Sequence, residues 1–155
     1  MATRKSGASL WPWLGIAALV ILLDQITKLA VVDRLTAYVD VIPLTGFFNL
    51  VHVHNTGAAF SFLNNAGGWQ RYFFSAAAIG ISAALAIWLW VMPRGQRLLA
   101  LGLGLILGGA LGNLWDRLTL GYVVDFVSVP YQQYFFPTFN IADSAISVGA
   151  VCLLL

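Results

Sequence analysis

This sequence predicts a mainly α-helical integral membrane protein, with four transmembrane helices and a small extracytoplasmic antiparallel β-sheet between spans 1 and 2. Three observations carry that reading. Hydrophobic residues make up 60% of the 155 and charged residues 9%, against about 45–50% and about 25% in ordinary globular chains. Four apolar runs recur along the chain, and the segment between the first two is rich in turn residues and short alternating stretches. The length suits one membrane domain over residues 1–155. The net charge of +2 is small and dispersed, so nucleic acid is not an expected partner. Cys152 is the only cysteine, which excludes an internal disulfide and a cysteine zinc cluster.

The first span covers about residues 11–32. Arg4 and Lys5 precede an uncharged run that a secretory signal peptide would share. No small-x-small cleavage site follows, however, and the helical pattern continues through Asp24, Gln25 and Lys28. Some twenty residues at about 1.5 Å each cross a hydrocarbon core of about 30 Å. Asp24 and Lys28 stand at i, i+4 and share a face, so a structural ion pair is expected, with Lys28 free to snorkel.

Residues 34–70 form the extracytoplasmic β segment. Pro43, Gly46, Gly57 and the 64–68 Asn-Asn-Ala-Gly-Gly run read as turns. Residues 47–53 read as one strand and 58–63 as a second, too little to fold except against the membrane surface. His52 and His54 project from one strand face. With no third ligand at sensible spacing they read as a solvated polar face rather than a metal pair. No metal and no cofactor is expected.

The second span covers about 72–92 and closes at Pro93-Arg94; the third covers about 98–115. Gly104, Gly108 and Gly112 repeat at four-residue spacing, a smooth stripe where another helix can approach closely. Residues 118–138 carry no charge except Asp125 and many aromatics, which suits an interfacial segment at headgroup level. The fourth span covers about 141–155 and is short for a full crossing, which leaves room for the chain to continue past Leu155. Arg4, Lys5, Arg94 and Arg97 outnumber Arg34, Arg71 and Arg117, so both termini are expected in the cytoplasm and the aspartates near the outer leaflet.

Three of the six acidic residues, Asp116, Asp125 and Asp143, fall between the third and fourth apolar runs or at their ends. A carboxylate at a membrane boundary is costly unless paired, hydrated or neutral, so such residues are candidates for function. Asp125 and Asp143 sit where separate spans end and begin, and packing those ends together brings both carboxylates to one site. Two aspartates sharing a proton can hydrolyse a peptide: one activates water, the other serves the leaving amine. Asn140 and Asp143 look like an N-cap and its N3 acid, where the helix dipole favours a negative charge. Asp143 is therefore the expected ionised member and Asp125 the protonated one. A plainer alternative is that Asp143 only caps a helix and Asp125 is a loop acid.

Asn113 and Arg117, one turn apart with Asp116 close by, either hold Asp125 or a substrate carbonyl, or simply end the helix. Ser144 and Ser147 lack a nucleophile elbow, and Cys152 has no activating neighbour. A small proton- or ion-coupled transporter would also carry intramembrane aspartates. Against it, no half of the sequence repeats and the acids gather on one side. A non-catalytic assembly subunit would explain the glycine stripe but not the two acids.

Four segments resemble the bacterial lipoprotein signal peptidase (signal peptidase II) family. They are Asp24-Gln25-Ile26-Thr27-Lys28, His54-Asn55-Thr56-Gly57-Ala58-Ala59-Phe60-Ser61, the 108–117 run Gly-Gly-Ala-Leu-Gly-Asn-Leu-Trp-Asp-Arg, and Val124-Asp125-Phe126 with Phe139-Asn140-Ile141-Ala142-Asp143. They fall in the family's order and the layout covers essentially the whole chain. The resemblance implies an aspartic endopeptidase of the bacterial inner membrane that cuts signal peptides from prolipoproteins just before the diacylglyceryl-cysteine. It implies a catalytic pair in Asp125 and Asp143. Supporting or substrate-binding roles fall to Asn55, Gly57, Asn113, Asp116, Arg117 and Asn140, and a structural role to Asp24 with Lys28. Expected partners are lipid-modified prolipoprotein signal peptides and membrane lipids, with the enzyme acting as a monomer.

Overall fold

The computed structural model describes residues 9–57, 67–93, 95–131 and 134–155. Four helices and one four-stranded antiparallel sheet follow in the order α1 (Trp11–Arg34), β1 (Val41–Thr45), β2 (Phe48–Asn55), α2 (Trp69–Val91), α3 (Arg97–Thr119), β3 (Val123–Tyr131), β4 (Tyr134–Phe139) and α4 (Ile141–Leu154). The first three helices are long and apolar enough to cross a membrane; α4, with 14 residues, is shorter. Their ends follow local chemistry. Pro12 stands in the first turn of α1, where its missing N–H costs nothing. Extended Met92 stops α2 just before Pro93. At the end of α3, Leu120 and Gly121 both donate to the Asp116 carbonyl, and Gly121 takes φ +89°.

The third helix is the one the others pack on, and glycine makes that possible on two faces. A Cβ added at Gly104, Gly108 or Gly112 would lie 2.9 Å from the Trp13 carbonyl oxygen, 2.7 Å from that of Ala17 and 2.9 Å from Asp24 Oδ2, so the expected stripe is the α1 contact. On the other face, Gly102 would meet the Gly149 carbonyl at 2.8 Å, and Gly109 abuts the Ala142 carbonyl, both in α4. Leu85, Leu89, Leu103 and Leu107 close a core among α1, α2 and α3, while Leu19, Leu22, Ile26 and Leu29 of α1 point outward.

Two expectations need correction. The sheet is not confined to the segment between the first two helices: residues 118–138, read as an interfacial aromatic segment, supply β3 and most of β4. Aromatic and β-branched residues suit a strand as well as a headgroup layer, and hydropathy alone does not separate the two. Pro43, read as a turn, lies inside β1, where both faces are open and an edge position tolerates its missing donor. Asn113, Asp116 and Arg117 all lie on α3, as the one-turn spacing of Asn113 and Arg117 implied. The strand expected at 58–63 lies outside the described residues, as do Arg4, Lys5 and Arg94.

The sheet sits against the helix ends that carry the acids. Val31 and Leu35 at the end of α1 pack with Phe126 and Val127 of β3. In the β2–β3 register, Val53 faces Asp125 and Asn55 faces Val123. Asn55 and Asp125 are thus diagonal neighbours on one face of the pleat, within reach of each other.

The close α1–α3 approach is testable. Gly108→Ala should lower thermal stability in detergent by about 1–3 kcal/mol, the usual cost of overpacking. Gly80→Ala, where an added Cβ meets nothing within 4 Å, should be neutral or stabilising by about 0.5–1 kcal/mol. Equal melting temperatures for the two variants would contradict this packing.

Candidate active site

Beneath the sheet, a buried ion cluster ties four elements together. Lys28 Nζ lies 2.7 Å from Asp24 Oδ2 and 2.9 Å from Asp116 Oδ2, and donates to Asn113 Oδ1 at 3.0 Å. Asp24 Oδ1 accepts the Ala142 N–H of α4 at 3.0 Å, and Asp116 Oδ2 accepts the Val124 N–H of β3 at 3.1 Å. Gln25 Nε2 donates to Asp116 Oδ1 at 2.9 Å. The Asp24–Lys28 pair is therefore present, but Lys28 does not snorkel: at 2% exposure it is held inward by three acceptors. Asp116 belongs to this cluster and faces Lys28.

Next to the cluster stand Asp125 and Asp143, joined through asparagines. Asn140 caps α4: its Oδ1 accepts the Asp143 N–H at 2.9 Å, and its own N–H donates to Asp143 Oδ2 at 3.3 Å, a reciprocal capping box. With its oxygen so engaged, Asn140 Nδ2 points at Asp125 Oδ1, 2.8 Å away. The Val124 carbonyl and Asn113 Oδ1, each at 3.2 Å, share the same amide group. Asn113 Nδ2 donates to Asp143 Oδ1 at 2.8 Å, and Asn55 Nδ2 to Asp125 Oδ2 at 3.1 Å. Each carboxylate thus receives amide donors, and Asn140 touches both.

Burial, and then the charge of Asp143, push the Asp125 carboxyl up from 3.8 to about 7. A carboxyl of that kind can hold a proton near neutral pH and give it up to a reacting group. Asp125 itself is 1% exposed. A cleft of about 560 Å³ opens beside it, with Asn55, Asn113, Arg117 and Asp143 on its polar side and Phe136 and Phe139 on its apolar side. Arg117 donates from Nη2 to the Gly57 carbonyl at 3.2 Å, and its guanidinium lies 5.6 Å from the centre of the Phe74 ring. Its buried Nε has no partner among the described residues.

The histidines depart from expectation. His52 is 6% exposed, and its Nδ1–H donates to the Leu35 carbonyl at 2.8 Å. Its Nε2 meets His54 Nε2 at 3.1 Å, and the His54 ring stacks on Tyr122 at 3.9 Å. This is a packed joint between α1 and the sheet, not a solvated face. Burial, then His52, hold the His54 imidazole below the ordinary histidine range. The Ser144 and Ser147 hydroxyls donate to the carbonyls one turn back, at 2.9 Å each. Sequence reasoning missed the roles of Gln25 and of the Ala142 and Val124 amides, since a backbone N–H offered to a distant carboxylate leaves no residue signature.

The comparisons agree with one another. A profile of the family described as Signal peptidase (SPase) II matches residues 16–155. A lipoprotein signal peptidase of Acinetobacter baumannii is 54% identical over 143 residues, covering 92% of this chain and 81% of the relative. One from Ralstonia nicotianae is 49% identical, covering 100% and 95%, and one from Pseudomonas aeruginosa 50% identical, covering 93% and 86%. A solved bacterial membrane enzyme, determined by the in meso method at 2.3 Å, superposes with a TM-score of 0.85 at 30% identity, covering 99% of this chain and 90% of its own.

Asp125 also gives stability a pH dependence. A folded-state value above the unfolded one means that the protonated carboxyl favours the fold; this contribution is full below about pH 3.8 and fades as pH rises through about 7. Melting temperatures of wild type and Asp125→Asn in detergent should therefore diverge across that interval, with the wild type losing relative stability as pH rises. A difference that stays flat or changes in the opposite direction would contradict the buried, proton-holding carboxyl.

Proposed function

This chain belongs to the signal peptidase II family of membrane proteases, and from that premise we propose that Asp125 and Asp143 are its catalytic pair. The activity is removal of signal peptides from lipoprotein precursors. The transporter reading finds no support among the relatives. One observation carries the assignment of the pair: Asn140 bonds both carboxylates at once, through Nδ2 to Asp125 and through its backbone N–H to Asp143. That shared contact supports a pair over the reading of a helix cap and a separate loop acid.

In the proposed reaction, the Asp143 carboxylate takes a proton from a water whose oxygen adds to the scissile carbonyl. Asp125 gives its proton to the carbonyl oxygen, so a neutral gem-diol forms. Asp143 then protonates the leaving nitrogen as the C–N bond breaks, and a diol proton returns to Asp125. Both acids end as they began. Two aspartates that share a proton titrate as a unit, so the activity profile belongs to the pair. Asn55, Gly57, Asn113, Arg117 and Asn140 support the site, and Arg117 and Asn55 face the cleft where a peptide backbone unwound from its helix needs hydrogen-bond partners. Asp116 supports it from behind, through Lys28.

The finer membrane picture is part of the same proposal. Residues 1–155 act as one membrane domain, and α4 serves as the fourth span. Both termini lie in the cytoplasm, and the sheet lies on the outer surface of a bacterial cytoplasmic membrane. The outward leucines of α1 support lipid contact along its length. Cleavage falls before a diacylglyceryl-cysteine, whose acyl chains stay in the outer leaflet while the apolar wall of the cleft takes neighbouring residues. The enzyme works as a monomer and without a metal.

Asp125→Asn and Asp143→Asn should each insert and fold, yet lose nearly all cleavage of a lipidated precursor in detergent, because an amide neither takes nor supplies the proton. Chelators should leave the wild type unchanged. Cleavage near the wild-type level by either variant would defeat the pair; activity lost to a chelator and restored by zinc would point to a metalloprotease.

A further inference from the structure

The buried ion cluster holds charges that the proposed reaction never uses, and its geometry gives one of them a task. Lys28 Nζ carries three hydrogens and no lone pair. Its three acceptors are Asp24 Oδ2, Asp116 Oδ2 and Asn113 Oδ1. Whichever end of the Asn113 carboxamide faces the ammonium must therefore be the oxygen. Turning the amide over would set N–H groups against the ammonium and the oxygen against the Asp143 carboxylate. Asn140 Nδ2, 3.2 Å from the same Asn113 oxygen, agrees with that orientation. The consequence appears at the other end of the amide, where Nδ2 donates to Asp143 Oδ1 at 2.8 Å.

The donor to Asp125 is oriented by different means. Asn140 Oδ1 accepts the Asp143 N–H at the start of α4, which turns Nδ2 towards Asp125. One amide is thus set by a buried cation and the other by a helix end.

We propose that Lys28 is a positioning residue for peptide cleavage: its ammonium fixes the Asn113 amide as a donor to Asp143 and so holds that carboxylate in the orientation that activates water. The proposal rests on the catalytic pair assigned above and deepens it. Lys28 touches no substrate and acts on Asp143 through Asn113.

The test is a double-mutant cycle on the full-length enzyme in detergent, cleaving a lipidated precursor peptide. It compares wild type, Lys28→Met, Asn113→Ala and the double variant, reading kcat, KM and melting temperature. Each single variant should lower kcat about 100-fold, as misplacement of a reacting group does, with KM within about twofold. The double variant should be no slower than the slower single. Multiplied losses, or full kcat in Lys28→Met, would overturn the proposal.

Lys28→Met leaves two buried carboxylates unpaired. If it does not fold, Asp24→Asn with Lys28→Met and Asp116→Asn removes all three charges at similar volume and replaces it in the cycle, made with and without Asn113→Ala and compared with wild type and Asn113→Ala. A separate measurement needs no change at Lys28. The Asn113 side-chain N–H resonance of ¹⁵N-asparagine-labelled protein should shift in Asp143→Asn, and an unmoved resonance also overturns the proposal. If Asp125→Asn and Asp143→Asn retain cleavage, the catalytic pair itself falls. If they are inactive while the cycle is multiplicative, only the Lys28 role falls.

Discussion

A lysine in a mostly apolar interior is the constraint on which the rest of this structure depends. An unpaired buried ion costs several kcal/mol even after relaxation, and removing one partner of a buried pair typically costs about 3–5 kcal/mol. Lys28 is therefore stable only where Asp24 and Asp116 both reach it, which fixes α1 against α3. The spare oxygens of those two carboxylates accept the Ala142 and Val124 amides, so the same charges also fix the start of α4 and the start of β3. Glycine at 104, 108 and 112 is what lets the two helices come close enough for the pairing.

Beside that cluster, Asn55, Asn113 and Asn140 supply donors and acceptors to the two aspartates without adding charge. An amide also has a direction, unlike a point charge, so each asparagine passes the orientation of one neighbour to the next. Asn140 has two amide hydrogens and three acceptors within 3.2 Å. The Asp125 contact, at 2.8 Å, is the shortest of these.

Much of this was legible in the sequence where the signal was periodic. The three long helices, the i, i+4 pairing of Asp24 with Lys28, the glycine stripe and the capping box at Asn140 and Asp143 all leave regular spacing behind. The proposed pair, Asp125 and Asp143, was picked out as two acids at span boundaries, and more sharply through the family resemblance. What was not legible depends on contacts between distant residues. Lys28 was expected to reach for water because nothing local indicates an acceptor 85 or 88 positions away. His52 looked solvated because alternation along a strand shows which face it occupies, not that Leu35 covers that face. The β3–β4 hairpin was hidden because aromatic residues serve interfaces and sheets alike.

The capping of α4 by Asp24 reaches back 118 residues. Asp143 comes from the element that follows all the others, and its helix start is completed by a carboxylate from the first. During synthesis a nascent chain can therefore bring α1 to α3 together, bury Lys28 and pair its strands while Asp143, half of the proposed pair, is still missing. On the proposed assignment, the site is assembled only once the final helix has docked on the first.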